Sequence, residues 1–187
     1  MCGRYQLLYE PLTTDPPLSS ALRSAISARA SGEVFPSDPI LVFYPKDGRL
    51  QAFCGRWGFR MKERRVINAR LETLQERPLF RPYAHHRCVL PCNCYYEWKN
   101  GDSGKQRMRI AHPQTDRLYL AAIYNEQMEV CVLTMAAQGH LASIHDRMPI
   151  VLDESGMRAY LRGEQGVRTL NARLVARPAD PAISYCC

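Results

Sequence analysis

Lysine is scarce in this chain of 187 residues. Only Lys46, Lys62, Lys99 and Lys105 contribute to the 25 cationic side chains, and arginine supplies the rest. No apolar run approaches the roughly 20 residues that a bilayer-crossing helix needs, which excludes a helical membrane span. The opening segment MCGRYQLLYE lacks the basic stretch and apolar core of a secretory signal. A reducing, cytoplasmic setting is therefore expected, with the 8 cysteines as thiols or ligands rather than a disulfide frame. No Walker-type loop, GxGxxG, HExxH or GxSxG occurs, so nucleotide-fold and common hydrolase readings lose their support. There is no internal repeat, long linker or low-complexity tract.

What is present fits one globular domain spanning residues 1–187. The hydrophobic fraction is 46%, enough for a packed core, and the formal net charge is +7. Arginine presents a planar fork that grips phosphate through two hydrogen bonds and stacks on bases. The arginine excess points to a polyanion partner, although GC-rich codon usage accounts for it equally well. Residues 18–30 carry helical spacing closed by Gly32. Ile40–Tyr44 and Leu50–Cys54 flank Asp47-Gly48, a hairpin signal. Further short strands are expected at Arg87–Pro91, Cys94–Trp98, Met108–Ala111, Leu118–Tyr124, Glu129–Met135 and Ile150–Leu152. Asp153 caps a helix running to Leu161. The expected class is α+β: a strongly bent antiparallel sheet or open barrel with short flanking helices. The tail after about residue 163 has no clear pattern.

Several residues carry chemistry. Cys2 directly follows Met1, and removal of that methionine would leave an α-amine and a thiol on one residue, with reference pKa values of about 8 and 8.5. Such an aminothiol condenses with an aldehyde to an imine, and the thiol then closes a thiazolidine ring. Between Cys54 and Glu72, six cations (Arg56, Arg60, Lys62, Arg64, Arg65, Arg70) face only Glu63 and Glu72, with Trp57 and Phe59 interleaved. Cations hold phosphates and aromatics offer stacking planes to unpaired bases; the alternative is a solvated loop with two core aromatics. Asn68-Ala69-Arg70 reads as a strand end whose side chains can face a ligand. Glu97 lies among Tyr95, Tyr96 and Trp98, where desolvation favours a proton-transfer role. His145 precedes a short apolar strand and is a second proton-transfer candidate.

Cys88, Cys92 and Cys94, with His85 and His86 upstream, raise a zinc reading, but their spacing matches no common structural zinc pattern. On one strand, Cys92 and Cys94 would point to the same face, but a paired second knuckle of ligands is missing.

Together, Met1-Cys2-Gly3-Arg4-Tyr5, Arg56-Trp57-Gly58, Ile67-Asn68-Ala69-Arg70-Leu71-Glu72-Thr73, Tyr96-Glu97-Trp98 and Ile144-His145-Asp146-Arg147-Met148-Pro149 resemble the SOS response-associated peptidase (SRAP) family, which protects abasic sites in DNA. The resemblance implies a single bent-sheet domain with a basic cleft for single-stranded DNA. It implies that Cys2 forms a thiazolidine with the ring-opened abasic deoxyribose, and that Glu97 and His145 transfer protons. Asn68 would orient the sugar. Arg4, Trp57, Arg70, Arg56 and Arg147 would contact DNA. It further implies DNA-damage-response function, a lyase-like crosslinking activity with self-processing peptidase activity at Met1, no cofactor, no membrane partner, a monomer, and nucleoid association in a bacterium. The segment Glu33-Val34-Phe35-Pro36-Ser37 departs from the family's asparagine-containing loop, Cys94 stands before the aromatic pair, and residues 164–187 diverge. Two readings of another kind compete: an N-terminal-cysteine amidohydrolase or peptidase, and a non-covalent single-strand binder with Cys2 idle.

Overall fold

The computed structural model describes residues 2–7, 32–101 and 104–179. The helix expected over 18–30 and the Cys186-Cys187 pair lie outside the described residues. Strands dominate. They are β1 (Tyr5–Leu7), β2 (Gly32–Val34), β3 (Pro39–Lys46), β4 (Arg49–Trp57), β5 (Phe59–Met61), β6 (Arg64–Val66), β7 (Asn68–Arg70), β8 (Arg87–Cys92), β9 (Cys94–Gly101), β10 (Gly104–Ala111), β11 (Leu118–Tyr124), β12 (Glu129–Ala136), β13 (Arg147–Pro149), β14 (Val151–Leu152) and β15 (Val175–Pro178). The α-helix among the described residues is α1 (Glu154–Leu161). None of their helices is long and apolar enough to cross a membrane.

Local chemistry explains these elements. The β3–β4 hairpin turns on Asp47 and Gly48, both at positive φ (51° and 71°), the conformation that a tight two-residue turn requires. Helix α1 starts where expected: the Asp153 carboxylate accepts the Gly156 N–H at 2.7 Å. Met157, Tyr160 and Leu161 face the core, and the Tyr160 hydroxyl donates to the Ala122 carbonyl at 2.8 Å.

The sheets form a curled α+β domain. In the larger sheet the order β12-β4-β3-β8-β11 is closed by pairing of β11 with β12, so the bent sheet meets itself as a ring. The β12–β4 link of this ring is a parallel contact, Val130 opposite Trp57, within an otherwise mainly antiparallel arrangement. Strand β7 also runs parallel to β12. The second sheet has the order β15-β10-β9-β1-β2. Its edge strand β15 comes from the tail that had no readable pattern. Apolar side chains of both sheets merge in one core that includes Tyr5, Phe43, Trp57, Leu90, Leu120 and Val132.

Cys92 and Cys94 do not share a strand. Asn93 forms a bend between β8 and β9, and each cysteine belongs to a different sheet. Among the described residues, no group of three or more His, Cys, Asp or Glu side chains is placed to hold a metal ion.

Candidate active site around Cys2

The N-terminal segment is built into the fold. Strand β1 lies between β2 and β9, with Tyr5 opposite both Val34 and Tyr95. The Tyr96 N–H donates to the Arg4 carbonyl at 2.9 Å, extending the ladder toward the terminus. Tyr5 is fully buried against Trp57, with ring centroids 5.3 Å apart. This anchoring draws Cys2 inside, where it has 0% exposure.

Asn68 holds Cys2 from the opposite sheet. Its Nδ2 donates to the Cys2 carbonyl oxygen at 2.8 Å. The Asn68 Oδ1 is buried and has no hydrogen-bond partner, an acceptor left open beside the cysteine backbone. Parallel pairing with β12 fixes its strand: Asn68 stands opposite Val132, and Arg70 opposite Thr134.

Burial pushes the Cys2 thiol up to about 12, and the nearby Glu97 carboxylate adds to that rise. At neutral pH the thiol is therefore protonated. Glu97, on β9, is buried, and its Oε1 accepts the Trp98 N–H at 3.3 Å. The structure thus brings together Cys2 from the segment leading into β1, Asn68 from β7 and Glu97 from β9.

His145 sits in the turn before β13, half-buried. Its Nδ1 lies 2.6 Å from the Asp146 carboxylate and 3.0 Å from the Arg147 N–H. The two contacts suit opposite proton states. A protonated Nδ1 donates to Asp146; a bare one accepts from Arg147. Either way Nδ1 is engaged, and Nε2 is the ring nitrogen left for other chemistry.

The cations divide into two groups. Arg56 and Arg70 are exposed. Arg147 is tied down: its guanidinium grips both Glu72 oxygens at 2.8 Å and the Thr134 carbonyl at 2.8 Å. That grip lowers the Glu72 carboxyl to about 2. Arg147 thereby joins the turn after β7 to β12 and β13. Arg4 is held by Glu33 at 3.3 Å and lies over the Phe35 ring at 4.2 Å. The same Glu33 pairs with Arg107, which stacks on Tyr96 at 3.8 Å. Trp57 is fully buried, and its indole N–H donates to the Ile67 carbonyl at 3.1 Å. It offers no face to an incoming base and instead supports the Ile67–Asn68 backbone from below.

Sequence reasoning missed Glu33, Glu72 as the partner of Arg147, Arg107 and Thr134. Glu72 lay inside a recognised segment, and only its distant partner was hidden. Arg107 had no local signal at all.

A curled, largely β domain whose second residue is buried between an asparagine and a glutamate defines the class. The same fold occurs in a protein from Bordetella bronchiseptica, with a TM-score of 0.74 and 19% identity, covering 96% of this chain and 100% of that one. A protein from Bacteroides thetaiotaomicron matches with a TM-score of 0.74 and 17% identity, covering 95% of this chain and 91% of that one. The family model described as SOS response associated peptidase (SRAP) matches residues 1–185, and the chain belongs to that family. Among curated relatives, abasic site processing protein YobE of Bacillus subtilis is 34% identical over 107 residues, 52% of this chain and 49% of that protein. Abasic site processing protein YedK of Escherichia coli is 29% identical over 142 residues, 70% of this chain and 64% of that protein. The match to the Bacillus relative thus spans about half of that protein's length.

Proposed function

We propose that this protein processes abasic sites in single-stranded DNA by forming a covalent thiazolidine through Cys2. The observation that carries the reading is the Asn68–Cys2 hydrogen bond beside the buried Glu97. Met1 is first removed, by self-processing or by another peptidase, exposing the α-amine. An abasic deoxyribose rests mainly as a closed hemiacetal, so Glu97 assists ring opening. The amine adds to the freed aldehyde carbon and water leaves, giving an imine. The thiol sulfur then adds to the same carbon, and its proton passes to the nitrogen. A neutral thiol suits this order, because the amine acts first and the sulfur needs no prior ionisation in the free protein.

Asn68 orients the Cys2 backbone, and its open Oδ1 accepts from the amine or a sugar hydroxyl. His145 serves as the second proton carrier, through Nε2. Arg70, Arg56 and Arg4 contact phosphate, which holds the strand without reading sequence. Arg147 acts by bracing β7 against the His145 turn, and Trp57 by supporting Asn68 from the core. The missing base lets the lesion bend into the site without unstacking at that position. The protein acts as a monomer in DNA damage response, at the nucleoid in a bacterial host.

The test is a denaturing gel with a single-stranded abasic oligonucleotide. The wild-type chain yields a detergent-stable adduct, and Cys2→Ala binds the strand but yields none. A stable adduct from Cys2→Ala would overturn the assignment.

A further inference from the structure

The β5–β6 hairpin stands apart from the Cys2 site in chemistry, although Asn68 follows it by two residues. Phe59 pairs with Val66 and Met61 with Arg64, leaving Lys62 and Glu63 as a two-residue turn. Arg60, Lys62 and Arg64 are exposed. Among the described residues, none of the three forms an ion pair. Glu63 supplies the turn's single opposing charge.

The base of the hairpin is fixed by a carboxylate. Glu129 is buried at 8% exposure and takes the Arg60 N–H at 2.9 Å, the Arg65 guanidinium at 2.7 Å and the Asn125 amide at 3.0 Å. Burial acts to raise this carboxyl, but these donors outweigh it and hold it below the usual range. Arg65 also donates to the Gly58 carbonyl at 2.6 Å. One arginine is thus neutralised to brace the prong, and the other three cations are presented bare.

The turn itself favours charge over comfort. Lys62 has φ of 55°, a left-handed conformation that glycine or asparagine adopts most readily. A cation occupies the tip at the expense of backbone strain.

We propose that the β5–β6 hairpin is a second binding site for nucleic-acid backbone, holding phosphates of the strand that flanks the lesion. The inference rests on the abasic-site reading only for where the strand lies. The four residue-to-residue steps from Arg64 to Asn68 span at most about 13 Å of extended chain. With about 3.4 Å of rise per nucleotide in a B-form strand, the prong contacts phosphates within about four nucleotides of the lesion.

The experiment compares the wild-type chain with Arg60→Gln/Lys62→Gln/Arg64→Gln. Affinity for an undamaged single-stranded 20-mer is measured across salt concentrations. Adduct yield is measured separately on an abasic oligonucleotide with one nucleotide on each side. Each lost phosphate contact reduces the salt slope on single strands by about 0.7, so the triple variant should lose up to about 2. Adduct yield on the short oligonucleotide should not change. Arg60→Lys/Arg64→Lys keeps the charge and should keep the wild-type slope, which separates lost contacts from a damaged fold. Equal slopes for wild type and the triple variant would overturn the proposal. An equal loss on the short oligonucleotide would overturn the placement away from the lesion. Absence of adduct from the wild-type chain would defeat the Cys2 chemistry while leaving the salt-slope comparison readable.

Discussion

The Asn68 amide and the Cys2 carbonyl, 2.8 Å apart, connect β7 to the segment leading into β1, a strand with which β7 has no ladder pairing. This bond sets the direction of the Cys2 backbone, and hence of the α-amine that Met1 removal would expose. Asn68→Ala removes one hydrogen bond, worth about 1 kcal/mol net. The expected outcome is a five- to tenfold slower adduct rate with a midpoint of unfolding changed by only a few degrees. Single-turnover gels and thermal denaturation check both; an unchanged rate would remove Asn68 from the site.

Burial should silence the Cys2 thiol in the free protein. With its ionisation pushed up to about 12, alkylation by iodoacetamide at pH 8 should be far slower at Cys2 than at the exposed Cys54. Peptide mapping reads each site separately. Comparable rates at both positions would contradict the buried, neutral thiol.

The Glu72–Arg147 pair predicts an acid-sensitive component of stability. Its carboxyl is lowered from 4.5 to about 2, so the folded state favours the ionised form. The contribution is fully present above about pH 4.5 and is lost as pH falls toward 2. Because Glu72 is half-exposed, screening holds the pair to about 1 kcal/mol. Glu72→Gln should be less stable than wild type at pH 7 and nearly equal to it at pH 2.5. Equal stability at pH 7, by urea denaturation, would show that the pair contributes nothing.

Glu33 restrains two arginines beside the candidate site, Arg4 and Arg107. Glu33→Gln removes the carboxylate charge that competes with phosphate at both. Single-strand affinity should rise several-fold at low salt, with the salt slope steeper by about 0.7 for each added contact. A variant with the wild-type affinity and slope would show that Glu33 does not compete with DNA at either arginine.

Gly58 is required by its backbone. Its φ is 106°, and an added Cβ would lie 2.9 Å from the Arg65 Cβ. Gly58→Ala should cost about 2 kcal/mol or more, seen as a lower urea midpoint with an unchanged slope. Wild-type stability would show that the β4–β5 junction relaxes freely.

Much of this was legible because the signals are local. Asp47-Gly48 carries the turn chemistry of β3–β4, and Asp153 the cap of α1, within a few residues of the elements they define. Glu97 was recognisable as a carboxylate among aromatics, and it is buried. Long-range partners were invisible. Arg147 reaches Glu72 across 75 positions, and Arg65 reaches Glu129 across 64, so neither ion pair leaves a mark in the local pattern. Trp57 looked like a stacking surface because it sits among cations. Its strand alternation instead turns it inward, with Arg56 facing out. The β15 strand lacked any periodicity of its own and forms by pairing with β10, from Met108 opposite Pro178 to Ala111 opposite Val175.

The most direct test is intact-mass analysis of the protein incubated with an abasic single-stranded oligonucleotide. The expected species has lost Met1 and gained the oligonucleotide less one water, with the modification mapping to Cys2. Finding Met1 retained in the adduct, or the oligonucleotide attached at another residue, would contradict the account.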